Sequence, residues 1–162
     1  METASIRKIR ASDNEKIVQI VHQVFEELGV PKTGTAYQDK ELYGMFEAFE
    51  AMPKADYYVI EEEGQIIGCA GIAPLANFEG NVCELQKMYF LPVARGRGLG
   101  KELIKICLTQ AKAYGYENCY LETMPYMKTA QALYQKNGFE YINGPMGCTG
   151  HSACPVHMLK KL

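Results

Sequence analysis

The sequence contains no apolar run long enough to span a bilayer, no run of lysines and arginines, no internal repeat and no low-complexity tract. The first absence excludes a membrane-spanning helix. The charged stretch Met1–Arg10 also lacks the apolar segment of a secretory signal, so the chain is expected to be soluble and cytoplasmic. Without a basic run, and with a formal net charge of -2, nothing suggests a nucleic-acid surface. The last two absences leave out solenoids, arrays and linkers. What remains is 162 residues, 48% of them hydrophobic. That is enough for a single domain, residues 1–162, with a real core.

The six cysteines do not read as a disulfide framework. Cys69, Cys83 and Cys119 fall inside strand-like runs and Cys107 on an apolar helix face, where a thiol acts as a small hydrophobe. Cys148, His151, Cys154 and His157 recur at every third residue. Gly147, Gly150 and Pro155 oppose the helix that would align them, and a strand would alternate them between faces. No metal is expected there.

The periodicities predict the order β-α-α-β-β-β-α-β-α-β-β. Ile6–Arg10 reads as a first strand. Ser12 or Asp13 caps a helix with Ile17, Ile20, Val21, Val24 and Leu28 on its apolar face, ended by Gly29. His22 falls on the polar side. A second helix covers about Glu41–Ala51. Tyr57–Glu61 and Gln65–Ile72 form a hairpin around Glu63-Gly64. Cys83–Leu91 is a buried strand that Pro92 stops. A helix then runs to about Tyr114, followed by a strand over Asn118–Thr123, a helix over Met127–Asn137, and strands over Phe139–Ile142 and Val156–Leu159. Strand–helix–strand around the third helix implies a parallel pair.

The junction Arg95-Gly96-Arg97-Gly98-Leu99-Gly100-Lys101 carries the clearest chemistry. Glycines there allow positive φ and close approach of a ligand. The helix that follows leaves its first N–H groups free and turns its positive dipole end to the loop. Such a site suits a phosphate or pyrophosphate. It is not a P-loop, because Gly100-Lys101 is followed by Glu102 and Arg95 holds the place of the first glycine. It is not a dinucleotide loop either, because Gly96, Gly98 and Gly100 alternate.

R-x-x-G-x-G over Arg95–Gly100 resembles the pyrophosphate signature of the GCN5-related N-acetyltransferases, the GNAT superfamily. Ala132-Leu133-Tyr134-Gln135-Lys136-Asn137-Gly138-Phe139 resembles that family's A-L-Y-x-x-x-G-F segment. The resemblance covers nearly the whole chain. It implies an α/β (α+β mixed) acyl-CoA N-acyltransferase fold. That fold is a twisted, mostly antiparallel seven-stranded sheet with helices on both faces and a parallel, splayed central strand pair. It also implies that acetyl-CoA is the co-substrate and that acetyl passes directly to a primary amine of a small molecule or protein. The pantetheine arm would pair with the main chain of Met88, Tyr89 and Phe90. The pyrophosphate would take the N–H groups of Gly96, Arg97, Gly98, Leu99, Gly100 and Lys101, with Arg95 in the first place of the signature.

The same resemblance assigns Tyr134 as the acid that protonates the departing sulfur. Glu84 and Glu122 stand where different branches carry a catalytic glutamate. Glu84 is preferred as base and Glu122 as a supporting group, with His151 a third candidate. Both strands read as buried, where a carboxylate must be paired, hydrated or raised in pKa. One departure is Met127, which stands where many members have a cofactor-contacting Asn; Gln131 is the expected replacement. A second reading is a non-catalytic regulatory module that holds acyl-CoA without turnover. Homodimers are common in the family, though the sequence marks no interface. The loops Gly29–Lys40 and Asn143–Cys154 are expected to face the acceptor.

Overall fold

The structure, a computed structural model, describes residues 3–162; Met1 and Glu2, the start of the charged N-terminal stretch, lie outside them. Seven strands form one sheet in the order β1-β2-β3-β4-β5-β7-β6. They are β1 (Ser5–Lys8), β2 (Asp56–Glu62), β3 (Gln65–Pro74), β4 (Val82–Phe90), β5 (Asn118–Thr123), β6 (Glu140–Ile142) and β7 (Val156–Lys161). Every neighbouring pair is antiparallel except β4 and β5. No helix among the described residues is long and apolar enough to cross a membrane.

Four helices cover the two faces: α1 (Asn14–Leu28), α2 (Met45–Ala51), α3 (Leu99–Ala113) and α4 (Lys128–Lys136). Strand alternation sorts the core between them. In β2, Tyr58 and Ile60 pack with Leu103, Ile104 and Cys107 of α3, while Tyr57 and Val59 pack with Ile17, Val21 and Val24 of α1. Cys69, Cys83, Cys107 and Cys119 are buried and free.

Several boundaries move for local reasons. The second helix is broken in two. A 3₁₀ turn spans Lys40–Gly44, Gly44 leaves helical geometry at φ -153° and ψ 56°, and α2 starts at Met45. Asn14 of α1 accepts the Phe46 N–H at 2.8 Å and so satisfies a first-turn donor of α2. Asp13 precedes α1 without capping it through its side chain. Its buried carboxylate instead takes the Arg10 N–H and both terminal nitrogens of Arg7. Gly29 ends α1 in the left-handed region, as the sequence implies. His22 is not solvated. It is half-buried, with its ring stacked on Tyr37 at 4.2 Å and its Nε2 enclosed without a partner among the described residues.

Candidate active site

The parallel ladder between β4 and β5 is short. It pairs Val82 with Asn118, Cys83 with Cys119 and Glu84 with Tyr120, and goes no further. Yet β4 continues to Phe90 and β5 to Thr123. The strands therefore part beyond Glu84, and the β5-facing edge of residues 85–90 is left without a strand neighbour. A bulge turns β4 within the same stretch. Gly71 pairs with Gln86 and Cys69 with Tyr89, so Ala70 faces both Lys87 and Met88. Lys87 absorbs the irregularity at φ 50°, and the Tyr57 hydroxyl donates to its carbonyl at 2.7 Å.

The opening leads into a cavity of about 70 Å³. Glu84, Met88, Tyr89, Glu122, Met127, Tyr134 and His151 all line it. Ligand-type atoms of Glu84, Glu122 and His151 lie within 4.8 Å of one another. The sequence left these three as alternatives on two strands and a loop; folding gathers them in one place. The four cysteines and histidines spaced by three are not gathered in this way: only His151 belongs to the cluster.

The two glutamates differ in what surrounds them. Glu122 has a hydroxyl on each oxygen. The Tyr120 hydroxyl donates to Oε2 at 2.7 Å and the Thr149 hydroxyl to Oε1. His151 and His157 each approach it at 3.9 Å. Glu84 is 6% exposed and receives one amide N–H, from Gln86 at 3.2 Å. Burial pushes its carboxyl up to about 7, against the opposing pull of His151. Tyr134 is equally buried and its ring meets Phe139 edge-on at 6.0 Å. Burial raises its phenol well above the ordinary value, so at neutral pH it holds its proton. No acceptor for that hydroxyl is found among the described residues.

Behind the cluster stand groups that the sequence did not single out. Asp39, in the loop after α1, accepts from His151 Nε2 at 2.9 Å and from Lys87 Nζ at 2.9 Å. Glu41 takes the same ammonium at 2.6 Å. Burial opposes the charged form of His151, but the Asp39 carboxylate overcomes it and raises the imidazole above its usual value. Asp39 is held low in turn by His151 and Lys87, against its own burial. A lysine inside the apolar run Cys83–Leu91 was a visible signal. Nothing in the sequence marks Asp39 or Thr149.

At the far end of β4, a 3₁₀ turn over Pro92–Ala94 leads to the glycine loop and α3. Gly96 and Gly98 sit at φ 72° and 76°. A Cβ on either would meet no protein atom within 4 Å, so backbone conformation rather than crowding calls for glycine there. Gly100 is different: a Cβ would come within 2.9 Å of Leu133, where α4 crosses the first turn of α3. The helix ladder begins with the Glu102 N–H on the Gly98 carbonyl. Among the described residues the N–H groups of residues 96–101 have no main-chain acceptor.

The arginines contribute less free charge than the sequence suggests. Arg95 bonds the Phe90 carbonyl and Glu27, and Arg97 bonds the Val93 carbonyl and Glu62. Lys101 is exposed. Gln131, expected at the cofactor, is engaged elsewhere. Its amide donates to the Met124 and Pro125 carbonyls and accepts from the Tyr141 hydroxyl.

Comparison with known proteins places the fold in a family. Residues 21–139 match the model of the acetyltransferase (GNAT) family. The chain belongs to that family. It is 42% identical to the uncharacterized N-acetyltransferase YjgM of Escherichia coli, over 97% of this chain and 94% of that one. Its structure resembles a GNAT-family acetyltransferase from Staphylococcus aureus, with a TM-score of 0.87, 19% identity and 99% of both chains covered. A phosphinothricin acetyltransferase from Sinorhizobium meliloti, solved in complex with AcCoA, matches with a TM-score of 0.76 and 26% identity, over 99% of this chain and 89% of that one. The protein is an N-acetyltransferase with the mixed seven-stranded sheet of this family.

Proposed function

We propose that the protein transfers acetyl from acetyl-CoA directly to a primary amine, with Glu84 as base and Tyr134 as acid. The observation that carries this reading is the end of β4–β5 pairing at Glu84. It opens unpaired β4 main chain beside a buried carboxylate, with a buried phenol lining the same cavity. The glycine turn supplies N–H groups for the diphosphate at one end of β4. The thioester then lies along the strand, with its carbonyl in the cavity.

The amine arrives as an ammonium ion. Glu84, with its pKa pushed up to about 7, takes a proton from it. The free amine attacks the thioester carbonyl, and a β4 main-chain N–H stabilises the oxyanion. The carbon–sulfur bond breaks as the amide forms, and the Tyr134 phenol gives its proton to the departing thiolate. The second proton shed by the amide nitrogen restores the phenol, and the proton held by Glu84 leaves to solvent. Glu122, with both oxygens occupied by hydroxyls, supports the site and does not itself turn over protons.

Two measurements test the reading. Acetyl-CoA should raise the melting temperature through ligand linkage. Free coenzyme A thiol should then appear when a panel of amines is added. A protein that is stabilised by acetyl-CoA but releases no thiol with any amine would not be an acetyl-transferring enzyme.

A further inference from the structure

Resting on the acetyl-transfer reading, we infer that the acceptor is an alkyl- or arylalkylamine: one primary amine on an apolar body, with no carboxylate and no second cation. The inference comes from matching donors and acceptors in the acceptor half of the cavity.

Its two cations are already used. Lys87 has three N–H donors and three acceptors: Asp39 at 2.9 Å, Glu41 at 2.6 Å and Gln86 Oε1 at 3.0 Å. Its side chain is 1% exposed. His151 is bound to Asp39 through Nε2, and its Nδ1 faces Glu122. No arginine lines the cavity. A substrate carboxylate would therefore be taken out of water with no partner, beside Glu84 and Glu122.

The anionic side is not matched in the same way. Glu122 is filled by two hydroxyls, but Glu84 receives a single amide N–H, on Oε1. Its second oxygen can accept from one incoming ammonium. Much of the remaining wall is apolar: Val24 and Phe25 of α1, Val30, Ala36 and Met124, with Thr123 and Cys154 also lining it. Thr35 brings a hydroxyl to this wall but spends it on the Pro31 and Lys32 carbonyls. Thr123, turned to Met127 Sδ at 3.8 Å, and the Cys154 thiol offer a polar tail few partners, and a site discriminates best against a group whose partners it lacks.

The test uses the full chain, saturating acetyl-CoA and coenzyme A release with two matched pairs. Phenethylamine and phenylalanine differ by a carboxylate, and pentylamine and cadaverine by a second ammonium. Phenethylamine should exceed phenylalanine in kcat/KM by about 100-fold or more. Pentylamine should exceed cadaverine by about tenfold. Glu41→Gln, which relieves Lys87 of one carboxylate, should narrow the first ratio severalfold. Comparable turnover of phenylalanine, or turnover confined to a peptide amino terminus, would overturn the inference while leaving acetyl transfer intact. An unchanged ratio in Glu41→Gln would overturn the charge matching on which it stands. Stabilisation by acetyl-CoA without thiol release from any amine would remove the acetyl-transfer reading, and this inference with it.

Discussion

The glycine turn that follows β4 and the carboxylate cluster near the start of that strand are made in different ways. The turn uses residues 95–101, contiguous in sequence, and offers main-chain N–H groups that have no main-chain acceptor among the described residues. The cluster collects side chains from distant places: Asp39 after α1, Glu84 and Lys87 on β4, Glu122 on β5, and Thr149 and His151 before β7. In the turn, conformation matters more than side-chain identity. In the cluster, the loss of one side chain changes the charge and hydrogen bonding of the others. Substitutions in the two regions should therefore separate kinetically. Cluster variants should lower kcat with acetyl-CoA affinity kept, and turn variants should raise the acetyl-CoA KM with chemistry kept.

The largest effect is expected from Glu84→Gln. Removing the base should lower kcat/KM for the amine by about 1,000-fold, while the stabilisation by acetyl-CoA stays unchanged. The ionised carboxylate is the active form, so wild-type kcat/KM should fall as pH drops through about 7. That bend should vanish in the variant. Stability gives an independent check. A carboxyl raised above its unfolded value contributes stability at low pH that is lost as pH rises, here between the unfolded value of 4.5 and about 7. Melting curves of wild type should show this loss, and those of Glu84→Gln should not.

Tyr134→Phe comes next. The ring is retained in its contact with Phe139 and only the hydroxyl is lost. A fall in kcat of about 100-fold, with acetyl-CoA affinity within about twofold, is expected of a general acid. An equal loss of cofactor affinity would make the hydroxyl a binding group instead, and the separation of the two regions would blur at this residue.

The contrast also explains what was readable in the sequence. The element order, the parallel pair and the glycine turn follow from local signals: alternation over Tyr57–Ile72, the stop at Pro92, and the spacing of Gly96, Gly98 and Gly100. Glu84 and Glu122 were legible as carboxylates in buried strands. Their proximity was not, because it depends on where two strands cease to pair. Asp39 and Thr149 lie in loops and join the cluster only through partners more than 25 residues away in the chain. The formal charge of Arg95 and Arg97 is offset for a similar reason, since Glu27 and Glu62 reach them from α1 and β2.

That last point sharpens the turn's side of the comparison. Gly98→Ala forces a side chain into left-handed geometry at φ 76° and should raise the acetyl-CoA KM about tenfold. The amine KM should not move. Arg97→Ala, despite removing a formal charge from the same loop, should change the acetyl-CoA KM by only about twofold, because Glu62 already offsets that charge. If Arg97→Ala proved the more damaging, the diphosphate would be held by side-chain charge and not by main chain.

The smallest expected effect concerns how the cluster's loops are held together. His151 reaches Asp39, and the Ala153 N–H bonds the Gly34 carbonyl at 3.1 Å, so the segment before β7 is clasped to the segment after α1. The imidazole is raised above its unfolded value of 6.5, because the gain from Asp39 exceeds the cost of burial. Its contribution to stability is therefore complete below 6.5 and fades as pH rises through the higher folded value. Asp39 is lowered below 3.8, so its share is present above 3.8 and fades as pH falls through its folded value. Between those limits both partners are charged. His151→Asn should melt lower than wild type by about 2 °C near pH 6, and the gap should close towards pH 9. A gap that instead widened with pH would mean that the neutral imidazole is the form that holds the loops, with its proton engaged by Asp39 and its other nitrogen free to serve the reaction.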